Sequence, residues 1–82
     1  MDFVAVDLET ANSDISSICQ IGIVVFKDGV AVDEWMSLIN PQTHFEKINI
    51  HIHGITDADV KDAPTFSAVS YTHLTLPTML MV

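Results

Sequence analysis

Phe3-Val4-Ala5-Val6-Asp7-Leu8-Glu9 alternates as a β-strand does, with Phe3, Ala5, Asp7 and Glu9 on one face and Val4, Val6 and Leu8 on the other. Apolar residues on both faces predict a central strand covered from two sides. A polar connection, Thr10 to Ser17, separates it from a second strand, Ile18 to Phe26, which is rich in β-branched residues. Lys27-Asp28-Gly29-Val30 then contains Asp-Gly, a two-residue hairpin signal, because glycine accepts positive φ without steric cost. The third strand runs from Val30 to about Ile39, with Trp35 packing on the sheet and Asn40-Pro41 ending it. The expected core is therefore a three-stranded antiparallel meander whose first strand carries the carboxylates.

The pattern weakens beyond Pro41. Gln42 to Ile52 shows no clear period. Thr56-Asp57-Ala58-Asp59 fits a helix start, with Thr56 as N-cap and acids in the first turn, and Pro64 keeps that helix short. A further helix is expected to open at Thr65-Phe66-Ser67-Ala68-Val69. Residues 70–82 carry no formal charge and no helical period, and Pro77 interrupts any helix there. The chain thus divides into residues 1–69, the folded part, and an atypical tail, 70–82. The tail has the look of foreign sequence joined to a gene end, although its Thr/Leu alternation also suits an ordinary apolar strand.

The chain of 82 residues accommodates one small domain. Its single cysteine, Cys19, excludes an intramolecular disulfide, and its place in an apolar run marks it as a small buried hydrophobe. Apolar stretches fall well short of the roughly 18 residues of a membrane span, and the N-terminus has no basic signal region, so no membrane partner and a cytoplasmic location are expected. The formal net charge of −8, with three lysines and no arginine, argues on its own against nucleic-acid binding, because phosphate contacts draw on Lys and Arg. Two things reconcile such a charge with a nuclease: divalent metals that supply the positive charge, or basic residues in sequence not present here.

Asp7 and Glu9 are the sharpest chemical feature. At i, i+2 on a strand, both carboxylates project to one side, and two hard oxygen ligands so placed suit Mg²⁺ or Mn²⁺. Asp-x-Glu by itself is commoner as a solvated strand end than as a metal site. His51 and His53 lack a third ligand at suitable spacing, and His44 and His73 sit in no motif. With three glycines and no glycine-rich run, nucleotide binding of the P-loop kind is disfavoured.

The surrounding string is more specific. Phe3-Val4-Ala5-Val6-Asp7-Leu8-Glu9-Thr10-Ala11-Asn12 resembles the first exonuclease motif of the DEDD superfamily, the group that contains the proofreading epsilon subunit of bacterial DNA polymerase III. Ile18-Cys19-Gln20-Ile21-Gly22, Lys27-Asp28-Gly29, Leu38-Ile39-Asn40-Pro41, His53-Gly54-Ile55-Thr56 and Asp62-Ala63-Pro64-Thr65-Phe66 extend the resemblance in the family's order over residues 2–69. It implies an α/β chain forming the N-terminal part of a ribonuclease-H-like fold, its sheet incomplete, and a 3′–5′ exonuclease acting on a DNA or RNA 3′ end, with a DNA polymerase as an implied partner. Asp7 would bridge two metals, Mg²⁺ or Mn²⁺, and Glu9 would ligate one. Thr10 would lie beside the 3′-terminal nucleotide, and His53, Gly54 and Ile55 would line its pocket. The family's second-motif Asp, its general-base His and its final Asp have no counterpart, since every Asp lies at or before Asp62 and His73 stands in no matching context. The expectation is a truncated exonuclease inactive by itself; the alternative is a non-catalytic remnant or a small acidic protein-interaction module.

Overall fold

The computed structural model describes residues 1–73, as β1 (Phe3–Thr10), β2 (Ile18–Lys27), β3 (Val30–Leu38), α1 (Lys47–His53), α2 (Asp57–Val60) and α3 (Phe66–His73). The strands form one sheet in the order β1-β2-β3, both pairs antiparallel, so the expected meander is present. Asp28 and Gly29 take φ of 53° and 78°, the two positive values that a type I′ turn requires, and Lys27 pairs directly with Val30 across it.

Alternation on β1 and β2 builds the core. Val4 and Val6 lie across from Val25 and Ile23, and they pack with Ile21, Ile39 and Val69 of α3. Each such side chain contributes about 1.5–3 kcal/mol on full burial. Cys19, on the same face of β2 as Ile21 and Ile23, joins Ile55 and, from α2, Val60 in a second buried cluster, with Leu38, Phe45 and Ala63 packed against it. The helical segments are thus gathered on one side of the sheet.

The opposite face departs from expectation. Sequence alternation predicted a central first strand covered on both sides, yet among the described residues β1 pairs only with β2. Its Asp7 face carries little to bury: Phe3, whose ring stacks on Phe26 at 4.6 Å, and Ala5. Asp7 itself is exposed.

α1 occupies the stretch in which no period was legible. Ile48, Ile50 and Ile52 alternate with polar residues, and a helix spreads such a pattern around its circumference; Ile48 and Ile52 remain 60% and 72% exposed, and no residue of α1 is buried. Its ends and its polar contacts hold it instead. Gly54 closes it in the left-handed conformation (φ 76°) and donates its N–H to the Ile50 carbonyl at 2.7 Å. α2 starts at Thr56 as expected, where the Asp59 carboxylate accepts the Thr56 N–H and hydroxyl at 2.9 and 3.1 Å. α3 passes beyond Val69, where the apolar period ends, to His73. Most of the expected tail, residues 74–82, lies outside the described residues.

Candidate functional site

Asp7 and Glu9 stand on one face of β1, as their spacing requires, opposite Gly22 and Gln20 of β2. Gly22 leaves no side chain beside Asp7. The result is an open concavity of about 630 Å³, floored by Ala5, Gly22 and Val24 and walled by Asp7, Glu34 and Met36. Glu9 is half-buried and lies beyond the lining of this concavity, so the two carboxylates share a face without sharing the hollow. Among the described residues, neither carboxylate accepts a hydrogen bond or an ion pair; the ion pair present joins His44 to Glu46 at 3.9 Å on the surface.

Between Glu9 and Thr10 the register slips: Glu9 faces Gln20 but Thr10 faces Ile18, so Cys19 is the extra residue. Beyond the slip, the end of β1 is tied to α1. The Thr10 carbonyl receives a hydrogen bond from Asn49 Nδ2 at 3.1 Å and lies 2.8 Å from His53 Nε2. The Ile55 N–H donates to His53 Nδ1 at 3.0 Å, which leaves Nε2 as the protonated nitrogen and therefore the donor to Thr10. Around this pair, Glu46 N–H donates to the Ala11 carbonyl at 2.9 Å and Asn12 Nδ2 to the His44 carbonyl at 2.9 Å. The loop after β1 is closed on itself: Asn12 Oδ1 accepts Asp14 N–H, and Asp14 Oδ1 accepts the backbone N–H and hydroxyl of Ser16, bonds that lower the Asp14 pKa.

Thr10 is half-buried at the strand end, its hydroxyl 3.5 Å from Asn49 Nδ2. His53 comes to Thr10 and to Cys19, whose Sγ is 3.9 Å away, and both its ring nitrogens are engaged within the protein. Gly54 is exposed, and Ile55 turns into the second core cluster. Cys19 is fully buried; burial first, then the Glu9 charge, pushes its thiol pKa up and keeps it neutral. Sequence reading missed Asn49, whose partnership with His53 is an i, i+4 relation visible only once α1 is known to be a helix. It also missed Glu34 and Met36, which cross-strand register alone brings to the hollow.

As a donor set, two unpaired carboxylates on one strand fit a hard divalent cation that keeps most of its waters. No group of three or more His, Cys, Asp or Glu side chains converges among the described residues, so a closed cage of the zinc type is not formed by them.

The described residues form a three-stranded antiparallel sheet with an acid pair at the end of its first strand, and similarity to known proteins places the chain. A family model for exonucleases, RNase_T, matches residues 4–78. The chain belongs to this exonuclease family. It is 36% identical over 75 residues to a Mycobacterium tuberculosis protein named as a bifunctional exonuclease/endonuclease, covering 82% of this chain and 12% of that protein. Its fold matches Exonuclease X in complex with 5′ overhanging duplex DNA, with a TM-score of 0.79 and 29% identity over 84% of this chain and 41% of the other. The ribonuclease-H-like assignment holds, and the chain spans less than half the length of either relative.

Proposed function

We propose that this chain carries the first metal-ligand pair of a 3′–5′ exonuclease that removes terminal nucleotides from DNA or RNA, with Asp7 and Glu9 as ligands for Mg²⁺ or Mn²⁺. The observation that carries the reading is the acid pair itself. Two carboxylates share one strand face without a cationic partner among the described residues, in a chain whose family is exonucleolytic. The bound metal would polarise the scissile phosphate and lower the pKa of its water. Asp7 and Glu9 hold it, while Thr10 and the turn at His53, Gly54 and Ile55 border the terminal nucleotide. The duplex DNA bound to Exonuclease X supports a nucleic acid as substrate. A DNA polymerase as partner rests on the resemblance to the epsilon subunit.

Two carboxylates make a weak site and an incomplete catalyst, because removing members of a catalytic constellation destroys most of the rate. Calorimetric titration of the 82-residue chain with Mn²⁺ is expected to give low-affinity binding that Asp7→Ala abolishes. A labelled single-stranded oligonucleotide with Mg²⁺ or Mn²⁺ is expected to stay intact. Binding indifferent to Asp7→Ala refutes the metal pair; shortening from the 3′ end that Glu9→Ala abolishes refutes inactivity.

A further inference from the structure

Among the described residues the sheet ends in two edges, and they are built differently. β3 forms one. Its register slips opposite Val25 and Phe26, which leaves Val32 without a partner on β2, and two acids follow, Asp33 and Glu34. The Asp33 carboxylate also accepts the Glu34 N–H at 2.9 Å, so that donor is not on offer to another strand. A bulge and charged side chains are the usual means of closing an edge to further pairing.

β1 forms the other edge, and no such guard protects it. From Phe3 to Glu9 it pairs with β2 without a slip, and the stretch contains no proline, glycine or lysine. Outside that ladder, no hydrogen bond to the Phe3–Glu9 backbone is present among the described residues. An unbroken edge of this kind accepts an added strand through its own N–H and C=O groups. Thr10 marks the limit, because its carbonyl already receives Asn49 Nδ2 at 3.1 Å and lies 2.8 Å from His53 Nε2.

We propose that this edge pairs antiparallel with β1 of a second copy of the chain, about a two-fold axis at Val6. The strand read against itself supports that occupant. With Val6 facing its own counterpart, Val4 meets Leu8 on the core side, while Ala5 meets Asp7 and Phe3 meets Glu9 on the bare side. That register uses the whole run from Phe3 to Glu9, keeps each face with its like and sets no acid against an acid. An axis at Asp7 would oppose Asp7 to itself, a destabilising like-charge pair. An axis at Ala5 would leave Leu8 and Glu9 outside the ladder, and a one-residue slip would set core side chains against bare-face ones. Each copy carries a formal net charge of −8, so the pairing is opposed at low salt and strengthens as salt screens it. It goes beyond the nuclease reading and requires no metal.

The test is sedimentation of the full 82-residue chain over a range of concentrations, at high salt with a chelator, beside amide exchange under the same conditions. Wild type is expected to pass from monomer to dimer as concentration rises, with β1 amides gaining protection and β3 amides gaining none. Ala5→Glu places a carboxylate opposite the partner's Asp7 on both sides of the axis and should weaken the dimer about tenfold, the scale of two cross-strand charge pairs. Ala5→Lys should tighten it by a similar factor. Met36→Glu and Met36→Lys make the same changes of net charge at an exposed site on the far side of β2, and should leave the dimer nearly as in wild type. If Ala5→Glu does not fold, the tightening in Ala5→Lys and the protection of β1 decide. Equal responses at Ala5 and Met36 would point to stacking of the bare faces and overturn the proposal. So would a wild type that stays monomeric throughout, or protection gained at β3 instead. Outward β1 amides protected equally at every concentration would mean that the edge is already filled within the chain, which also overturns it.

Discussion

The two faces of the sheet are built from the same three strands and have opposite fates. On one, Val4, Val6, Ile21 and Ile23 disappear beneath α3 and the residues around Ile39. On the other, Ala5, Asp7, Gly22, Val24 and Met36 border an open hollow, and Met36 is 66% exposed. Cover follows composition: the first face offers four β-branched side chains, while the second interrupts its apolar residues with two acids, Asp7 and Glu34, and a glycine. The bare face is thus a poor place to store stability and a good place to leave carboxylates accessible to solvent and cations.

The largest blow to this contrast should come from the covered face. Ile21→Ala is expected to cost about 2–5 kcal/mol in urea unfolding, the range for emptying a packed aliphatic site; a change below about 1 kcal/mol would mean that the core is not packed as described. A pH effect comes next. The raised Cys19 thiol contributes stability that is fully present below the ordinary thiol pKa and is lost as pH rises through the folded value, because the unfolded chain ionises first. Unfolding free energy measured on the alkaline side should therefore fall, and Cys19→Ala should flatten that limb. In keeping with its burial, Cys19 should react with iodoacetamide slowly in native protein and fast in urea. The smallest effect belongs to the bare face: Met36→Ser should shift stability by no more than about 0.5 kcal/mol. A shift as large as that of Ile21→Ala would erase the distinction between the faces.

How much of this was legible depended on whether a residue's partner lay near it in pattern. The meander was, because period-2 alternation and Asp28-Gly29 specify strands and turn locally. So was the start of α2, from Thr56 and its acids. The acid pair needed only its i, i+2 spacing to be placed on one face. α1 was not legible, since its three isoleucines alternate as a strand would and its hold on the sheet comes from polar bonds to residues far back in the chain. Asn49 shared that invisibility. Among the described residues β1 pairs with β2 alone, so the central-strand reading finds no second neighbour there.

The separations along the chain carry one more consequence, for the order of assembly. The β2–β3 hairpin closes through two residues and can zip within microseconds. The bonds from Asn49 and His53 to Thr10 close loops of 39 and 43 residues, so their chain entropy is spent only once the sheet exists. α1 buries no side chain, so its transient release is opposed chiefly by its polar bonds. Amide exchange should accordingly be fastest in α1 and slowest in the paired centre of β2. The end of β1 that carries Glu9 would then be the last part of the molecule to take its final shape and the first to lose it.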